Sequence, residues 1–408
     1  MVSLGFLSII SSFSSRALAP LLAVVLSLSL MGPAGAIDFD VTKLTDTNDG
    51  SCDADCSLRE AILAANVLAG EDRVLLGAGV HQLSIAGMGE DLGATGDLDI
   101  TDDTIMLGLG ASSSIIDGGA IDRVVDVEMG TTVTIQGVTV RNGLLSNGSG
   151  AGIAAGNAEL TLVGCTITDN HVGGFGFGGG LGGDMTIIDS TISANSSDGG
   201  GGGLVTSFST ITNSTFSGNE SLSDLGGAIY VFSLGMVTVD GATIVGNESA
   251  LLGGGVLIEG SAVFSIANSV LADNMSDAGP DCSGLATSRG YNLLGNNSGC
   301  SGFGATGDQV GTSSSPIDPL LSPLANHGGP TDTHQPMVGS PLVDAGNPAA
   351  VGSSADACTQ TDQRGMSRPI DGDGDQIPRC DIGSFEVGAI FADGFESGDT
   401  STWSLTFP

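Results

Sequence analysis

Basic residues are nearly absent from this chain: 10 of its 408 residues are lysine or arginine, whereas 46 are aspartate or glutamate. The resulting net charge of -36 argues against nucleic acid and anionic membranes as partners, because both attract proteins through cationic side chains. An extracellular glycan or a protein ligand remains open as a partner, and the sequence does not indicate the oligomeric state.

Proline is also sparse, with 13 residues, while glycine is abundant, with 67. The glycines follow no Gly-X-Y period, which excludes collagen, and a hydrophobic content of 40% excludes an unfolded chain. Long apolar runs are missing after residue 36, so we expect no membrane span there. Residues 1–36 have the pattern of a secretory signal, in which Arg16 precedes an apolar run and Ala34 and Ala36 frame a cleavage site. A membrane anchor is the alternative.

A repeat fills the middle of the chain. A frame that ends in threonine recurs at Ile135–Thr139, Leu162–Thr166, Ile187–Thr191, Ile211–Thr215 and Val239–Thr243. A glycine-rich motif followed by an aliphatic residue lies between the copies and returns every 23–28 residues. Alternation of threonine and isoleucine places aliphatic side chains inside and hydroxyls outside a strand. A period of this length with several short strands predicts one turn of a parallel β-helix per repeat.

An asparagine closes most copies of the frame at the corner of the coil. Stacked side-chain amides in such a column can hydrogen-bond along the axis as a ladder. The predicted ladder members are Asn142, Asn170, Asn195, Asn219, Asn247 and Asn274. The copy that ends at Asn142 is one residue short, and the copy that ends at Asn274 is one residue too long. Several of these asparagines also begin Asn-x-Ser/Thr sequences, so glycosylation is an alternative that we favour less.

The ends of a stacked solenoid expose unpaired strand edges and need covers. Ser57-Leu-Arg-Glu60 is a capping box that opens an amphipathic helix over residues 56–68. Its apolar face consists of Leu58, Ala61, Ile62 and Ala65. We interpret this helix as the lid on the first coil; a partner-binding helix is the alternative.

Seven cysteines would form disulfides in an oxidising compartment. The pairs that we expect from their positions are Cys52 with Cys56, Cys282 with Cys300, and Cys358 with Cys380, although sequence alone does not determine connectivity. Cys165 is left over. Small residues occupy its position in the neighbouring copies, so we expect a buried thiol and not a nucleophile.

Three segments resemble families of exported bacterial proteins. Cys56-Ser-Leu-Arg-Glu-Ala61, with Thr45–Gly50 and Cys52 before it, resembles the CSLREA domain over about residues 38–76. Leu324-Ala-Asn-His-Gly-Gly-Pro-Thr331 and Asp381-Ile-Gly-Ser-Phe-Glu386 resemble the choice-of-anchor Q region over roughly residues 280–387. Gly226-Gly-Ala-Ile229 is similar to the coil repeats of polymorphic outer-membrane proteins.

The resemblance implies a right-handed parallel β-helix of the pectin-lyase-like fold, exported and retained at the bacterial cell surface or secreted, without assigned catalytic residues. We therefore expect an all-β chain with a short N-terminal capping helix and an irregular C-terminal region. The expected divisions are a signal peptide at 1–36, a CSLREA-type cap at 37–75, the β-helix at 76–280, a choice-of-anchor Q-like region at 281–387 and a tail at 388–408. The tail, with Phe391–Asp399 and Trp403, resembles a short terminal segment of exported proteobacterial proteins; a sorting role and a loose terminus are both open.

The regular coils lack the cationic base that a polysaccharide lyase uses, since no lysine or arginine lies between Arg141 and Arg289. We interpret His171 as part of a solvated turn. A hydrolase would need two carboxylates about 6.5–9.5 Å apart. The aspartates available in the coils, at scattered phases of the repeat, are Asp169, Asp184, Asp189, Asp198, Asp224, Asp240 and Asp273. The leading hypothesis is therefore a non-catalytic surface adhesion, structural or glycan-binding protein, with a polysaccharide hydrolase as the alternative.

Asp371, Asp373 and Asp375 alternate with glycines in the best candidate metal site of the sequence. Carboxylates spaced in this way suit Ca²⁺, which prefers oxygen ligands. The loop departs from an EF-hand loop, and Asp381 or Glu386 would have to complete the ligand shell. Calcium binding and a solvated acidic turn are both open interpretations of this loop, and the sequence indicates no other cofactor.

Overall fold

The computed structural model describes residues 36–222 and 225–388. The predicted secretory signal, apart from its last residue, lies outside these described residues, as do Asp224 and the tail after residue 388. Among the described residues, 38–310 form a stack of coils built from short strands and one helix, Leu58–Ala65, whereas 311–388 contain turns and isolated bridges but no extended strand. No helix in this part of the chain is long and apolar enough to cross a membrane.

Three parallel sheets run along the stack. The first sheet contains Asp38–Val41, Asp72–Leu76, Leu98–Ile100, Thr104–Leu107, Val125–Val127, Thr132–Gln136, Ile153–Val163, Leu181–Ile188, Leu204–Thr212, Ile229–Asp240, Val256–Ile258, Val263–Ala267, Cys282–Gly290 and Cys300–Ser301. The second sheet contains Gly79–Gln82, Ser114–Asp117, Thr139–Arg141, Thr166–Thr168, Thr191–Ser193, Thr215–Ser217, Thr243–Val245, Val270–Ala272, Leu293–Leu294 and Gln309–Val310. The third sheet contains Leu144–Leu145, His171–Val172, Ser196–Ser197, Glu220–Ser221 and Glu248–Ser249.

The apolar core consists of columns of similar side chains that stack coil on coil. In the second sheet Ile167, Ile192, Phe216 and Ile244 lie in register, and all four are fully buried. Branched aliphatic residues favour such strands because they fit a pleated, tightly packed surface. Successive coils pair in parallel throughout the three sheets, so the predicted all-β parallel β-helix is confirmed.

A ladder of buried asparagine side chains runs through the corner after the second sheet. The side-chain amide of each member donates a hydrogen bond to the amide oxygen of the next: 2.9 Å from Asn170 to Asn195, 3.0 Å from Asn195 to Asn219, 2.9 Å from Asn219 to Asn247 and 2.9 Å from Asn247 to Asn274. Buried polar groups need such partners, and a periodic column supplies one from each adjacent coil.

Asp281 ends this ladder. One oxygen of its carboxylate accepts hydrogen bonds from the backbone and side-chain nitrogens of Asn274, at 3.1 and 3.0 Å, and the other accepts from the backbone of Asn296 at 2.6 Å. Burial raises the pKa of Asp281 to about 6, although these hydrogen bonds act in the opposite direction.

Asn142 is not part of the ladder, so this part of the prediction is wrong. Its backbone φ is 56°, and its side chain donates to Asp117 at 3.0 Å. Because this copy of the frame is one residue short, Gly143 occupies the ladder position, and its backbone N–H makes the hydrogen bond that the backbone N–H of Asn170 makes in the next coil. It donates to the side-chain oxygen of Asn170 at 2.8 Å.

The N-terminal helix covers the first coil, and the predicted capping box is confirmed. The Ser57 hydroxyl accepts a hydrogen bond from the Glu60 backbone at 3.2 Å, and the Glu60 carboxylate accepts one from the Ser57 backbone at 2.8 Å. The predicted apolar face is buried in the core: Leu58, Ala61, Ile62 and Ala65.

The C-terminal region packs back against the outer face of the second sheet. Thr191, Thr215 and Thr243 form an outward column there, yet none is more than 2% exposed. Gln363 donates to the Thr191 hydroxyl at 2.9 Å and accepts from the Thr215 hydroxyl at 2.7 Å, while the Ser384 backbone donates to the Thr243 hydroxyl at 3.0 Å. The hydroxyls thus lie outside the coil, as predicted, but a later part of the chain covers them.

The three expected cysteine pairs are disulfide-bonded: Cys52–Cys56, Cys282–Cys300 and Cys358–Cys380. Cys165 is a buried free thiol, and burial raises its pKa to about 11. Since the thiolate is the nucleophilic form, this side chain is a packing residue.

Removal of one member of the ladder should destabilise the fold. Asn219→Ala removes the acceptor of the backbone N–H of Asn195 and the donor to the carbonyl of Ile192. Each buried polar group left unpaired costs about 1–3 kcal/mol, so the free energy of unfolding in urea should fall by at least about 2 kcal/mol. Asn142→Gly is the matched control, because it lies outside the ladder and glycine tolerates its positive φ. Equal losses in both variants would contradict the role of the ladder.

Asp281 should make stability depend on pH. Its pKa of about 6 in the folded protein exceeds its ordinary value, so the folded state binds this proton more tightly than the unfolded chain. Stability should therefore decline as pH rises from about 4 to about 6, by up to about 3 kcal/mol. Asp281→Asn should flatten this part of the profile, even though it loses the hydrogen bond from Asn296. Urea unfolding at several pH values measures the slope, and an unchanged slope would refute the assignment.

Candidate functional site

Three aspartates meet on the outer face of the first sheet. Asp99 and Asp126 lie side by side in adjacent coils, in the strands Leu98–Ile100 and Val125–Val127. Asp97 precedes Asp99 by two residues and therefore points to the same face. One carboxylate oxygen of each residue lies within 4.8 Å of those of the other two. We call Asp97, Asp99 and Asp126 the acidic pocket.

The acidic pocket is poorly solvated, which disfavours its negative charge. Asp97 and Asp99 are 5% and 1% exposed. Burial, together with the neighbouring charges of Asp99 and Asp122, raises the pKa of Asp97 to about 7. Burial likewise raises the pKa of Asp99 to about 7 and, against the effect of Arg123, raises that of Asp126. At neutral pH the pocket therefore shares a small number of protons among closely spaced carboxyl groups.

Arg123 partly neutralises the acidic pocket. Its guanidinium donates a hydrogen bond to Asp126, lies 3.5 Å from an oxygen of Asp97 and donates to the carbonyl of Gly150 at 3.1 Å. These partners hold the guanidinium in place beside the carboxylates of the pocket. One positive charge does not balance three carboxylates, so the ionised pocket would attract a further cation.

Asp122 adds a buried carboxylate beside the acidic pocket. It is 4% exposed, and among the described residues its Oδ2 atom has no hydrogen-bond partner. This oxygen lies close to Gly96, since a Cβ atom at that glycine would be 2.7 Å away, and its charge acts on Asp97. An unpaired buried oxygen is costly. A cation bound in the pocket would also offset the charge of this neighbouring carboxylate.

The N-terminal helix positions the segment that carries the pocket. Arg59, which is 1% exposed, forms an ion pair with Asp46 at 2.8 Å and donates three hydrogen bonds of 2.8 Å to backbone carbonyls within residues 93–97. Asn66, just after the helix, donates to the backbone carbonyl of Asp99 at 2.7 Å. The lid on the solenoid is thus also the support of the acidic pocket.

The outward column of Asp126 continues beyond the acidic pocket. Ala154 and Gly182 follow Asp126 in register, and Ser149 and Gly150 pack against Gly182, where an added Cβ atom would clash with them. The column then reaches Tyr230, whose ring centroid lies 4.8 Å from that of Phe232. At about 4.8 Å per coil, Asp126 and Tyr230 are about 19 Å apart. We call this row of residues the furrow column.

The predicted calcium loop is arranged differently from the prediction. Oxygens of Asp371 and Asp373 lie within 4.8 Å of one oxygen of Asp344, and Asp375 is not a member of this group. The carboxylate of Asp375 instead accepts a hydrogen bond from the backbone of Ile377 at 2.7 Å within its own turn. Asp344 comes from a preceding turn that folds against the loop, so the spacing of the loop residues gave no sign of it.

The two acids that were predicted to complete the ligand shell of that loop instead form hydrogen bonds inside the C-terminal region. Asp381 and Glu386 are fully buried, and they accept hydrogen bonds from the backbones of Asp344 at 2.7 Å and Ile370 at 2.6 Å. Glu386 also lies 3.7 Å from the guanidinium of Arg368. They stabilise the region that holds the loop.

His171 does not lie in a solvated turn, which corrects the prediction. It belongs to the strand His171–Val172, is half-buried, and its Nδ1 atom is hydrogen-bonded to the Ser196 hydroxyl at 2.8 Å. Of the seven coil aspartates considered for hydrolysis, those within the described residues form no group of three converging carboxylates.

The acidic pocket was not among the sites that the sequence predicted. Asp99 and Asp126 are 27 residues apart, which falls within the 23–28-residue spacing of the repeat, and this separation is the signal that points to their pairing. The glycine motif that reveals the register begins only at Gly150, after both residues. In the first coils, the sequence therefore contains acidic residues but no repeated motif by which to align one coil with the next.

The geometry of the acidic pocket suits a cation better than hydrolysis. Oxygens on opposite sides of a Ca²⁺ ion are about 4.6–5.2 Å apart, because each bond is about 2.3–2.6 Å long. The oxygens of the pocket fit within that distance. A glycosidase separates its two carboxyl groups by about 5–5.5 Å or about 6.5–9.5 Å to admit the sugar or a water.

Comparison with known proteins agrees with this architecture. The family described as the right handed beta helix region matches residues 110–312. Among solved structures, the chain is similar to that of the pectate lyase Pel9A, with 13% identity and a TM-score of 0.50 over 88% of this chain and 98% of that chain. No curated protein matches the sequence. The chain is therefore a right-handed parallel β-helix of the pectin-lyase-like fold, and the predicted handedness is confirmed.

Replacement of Arg59 even by lysine should lower the stability of the fold. Arg59→Lys keeps the charge next to Asp46 but removes the planar fork that reaches three carbonyls, so those buried groups lose their donors. We expect the free energy of unfolding in urea to fall by about 3 kcal/mol or more. Arg73→Lys is the matched control, because Arg73 forms an exposed ion pair with Asp38 that is worth about 1 kcal/mol at most. Comparable losses in the two variants would argue against this support.

Proposed function

We propose that this chain is an exported, non-catalytic β-helix protein of the bacterial surface or surroundings that binds an acidic extracellular glycan through a divalent cation. The acidic pocket, with the unpaired oxygen of Asp122 beside it, is the observation that carries the proposal. Calcium is the ion we propose, since oxygen ligands at this spacing match its bond lengths.

The outer side of the pocket leaves room for a ligand. The side chains of Asp126 and Arg123 are 27% and 18% exposed, whereas Asp97 and Asp99 form the buried side. Ca²⁺ takes six to eight oxygen ligands, and the pocket supplies fewer, so the solvent-facing positions are available to oxygens of a bound sugar. The strongly acidic chain would repel an anionic glycan without such an ion, which makes the proposed binding calcium-dependent.

Phe232 adds to the proposed site at the far end of the furrow column, where its partly exposed ring lies beside that of Tyr230. Aromatic rings bind the apolar faces of sugars through their large contact area. Export is supported by the pattern of residues 1–36, by three disulfides and by the resemblance to the CSLREA and choice-of-anchor Q families. That resemblance also supports retention at the cell surface.

A carbohydrate-active enzyme is the second candidate function. It is favoured by the pKa values of about 7 at Asp97 and Asp99, which are suited to proton transfer at neutral pH. The close spacing of the carboxylates and the two acidic partners of Arg123 argue against hydrolysis and against arginine as a base. Release of soluble oligosaccharides from plant or bacterial polysaccharides, with multiple turnovers, would establish this second function in place of the first.

Calcium titration by calorimetry tests the ion site directly. Asp99→Asn should weaken calcium binding about tenfold or more, whereas Asp277→Asn, an exposed control outside both acidic groups, should leave it unchanged. Because the pocket must lose protons to bind the ion, affinity should increase from pH 6 to pH 8, across the pKa of about 7. Asp373→Asn reports separately on the Asp344–Asp371–Asp373 group as a second proposed calcium site.

The same variants test the ligand. On an array of acidic and neutral glycans, the protein should bind acidic glycans in calcium and lose them in EDTA, and Asp99→Asn should lose them in both. Binding that survives both EDTA and Asp99→Asn would overturn the proposed role of the pocket.

A further inference from the structure

A second outward column of the first sheet consists of threonines. Thr161, Thr186, Thr210 and Thr238 lie in register in four successive coils, on the half of the sheet that follows the furrow column along each strand. They line a groove of about 430 Å³. At about 4.8 Å per coil, the four hydroxyls span about 14 Å. We call this the threonine groove.

The hydroxyls of the threonine groove have no hydrogen-bond partners among the described residues. Thr210 is exposed and the other three are half-buried, and none of the four side chains hydrogen-bonds to any described residue. The backbone groups of these strands are already paired with the adjacent coils. The groove therefore offers a ligand a regular row of hydroxyls and no free strand edge.

The outward column next to the threonines exposes two large apolar side chains. Phe208 and Met236 lie in register and are 56% and 57% exposed. Asp184 fixes the bulge before Phe208, because its Oδ1 atom accepts hydrogen bonds from the backbones of Ser207 at 2.9 Å and Phe208 at 2.7 Å. An aromatic ring held open to solvent beside a polar row is a surface that a ligand with both apolar and hydroxylated faces would fit.

The same chain shows what a threonine column of this kind can hold. The column of Thr191, Thr215 and Thr243 on the second sheet has the same residue type and the same coil spacing, and every hydroxyl in it is hydrogen-bonded to the C-terminal region. The threonine groove differs in that no described part of the chain covers it. The hydroxyls of the second-sheet column are thus bonded to another part of the chain, whereas those of the threonine groove are accessible to a ligand.

We propose that the threonine groove binds a neutral, linear polysaccharide, at a site separate from the acidic pocket and beyond the function proposed above. Sugar hydroxyls both donate and accept hydrogen bonds, as threonine hydroxyls do, and the apolar face of a sugar ring matches Phe208. A peptide would bring backbone amides that the groove does not pair. Glu159 and Asp184 line the groove, so an acidic chain is disfavoured.

Calorimetry with neutral hexasaccharides of glucose, xylose and mannose, in EDTA, tests this site in the full chain. We expect at least one of them to bind, and the double variant Thr186→Val with Thr210→Val to weaken that binding about tenfold or more. Valine keeps the branched shape that favours a strand, so thermal unfolding should stay unchanged. Thr287→Val is the matched control, because Thr287 is an exposed member of the same column beyond the groove and its loss should change nothing.

Asp99→Asn should leave the binding of neutral sugars intact, which separates this site from the acidic pocket. Failure of acidic glycans to bind in calcium would therefore refute the proposed function alone. Absence of binding by every neutral hexasaccharide, equal binding by the double variant, or selection of peptides in place of sugars by the groove would overturn the proposal.

Discussion

Coil-to-coil register is the constraint on which the rest of this structure depends. Each strand pairs in parallel with the strands one coil before and one coil after it, so every side chain meets the residue at the same position of the adjacent coils. A side chain that interacts favourably with an identical side chain is stabilised by each adjacent coil. Ile167, Ile192 and Ile244 stack in this way in the core, and Asn195 bonds to Asn219 in the corner. The same register destabilises the fold wherever two side chains of like charge lie opposite each other in adjacent coils.

Asp99 and Asp126 break that rule, and this makes them informative. Two carboxylates in register repel one another, and burial adds to the cost, which the high pKa of Asp99 reflects. Arg123 offsets part of the repulsion, and Asp122 adds a further unpaired oxygen. Natural proteins concentrate such unfavourable arrangements at functional sites. The acidic pocket is therefore the place where this solenoid departs from the packing that stabilises the remainder.

The pocket is also joined to the end of the solenoid. Arg59 belongs to the capping helix, whose capping box and apolar face close the first coil, and its guanidinium holds the backbone of residues 93–97. Covering the open edge and positioning the pocket are thus tasks of the same helix. Disruption of the cap would disturb the site without a change to any of its carboxylates.

The sequence alone determined the β-helix, the capping helix and the ladder from Asn170 to Asn274, because each depends on neighbours along the chain or one period away. Only the tertiary structure decided where Asn142 falls, since one missing residue moves it out of the corner. It also decided that Asp344 joins Asp371 and Asp373, and that Asp97, Asp99 and Asp126 converge in coils that lack the glycine motif. The cover over Thr215 comes from Gln363, 148 residues later, while the threonine groove stays open. Contacts between equivalent residues of successive coils appear in the sequence as a period. Contacts made by the C-terminal region, which follows the coils and packs back against them, have no such period.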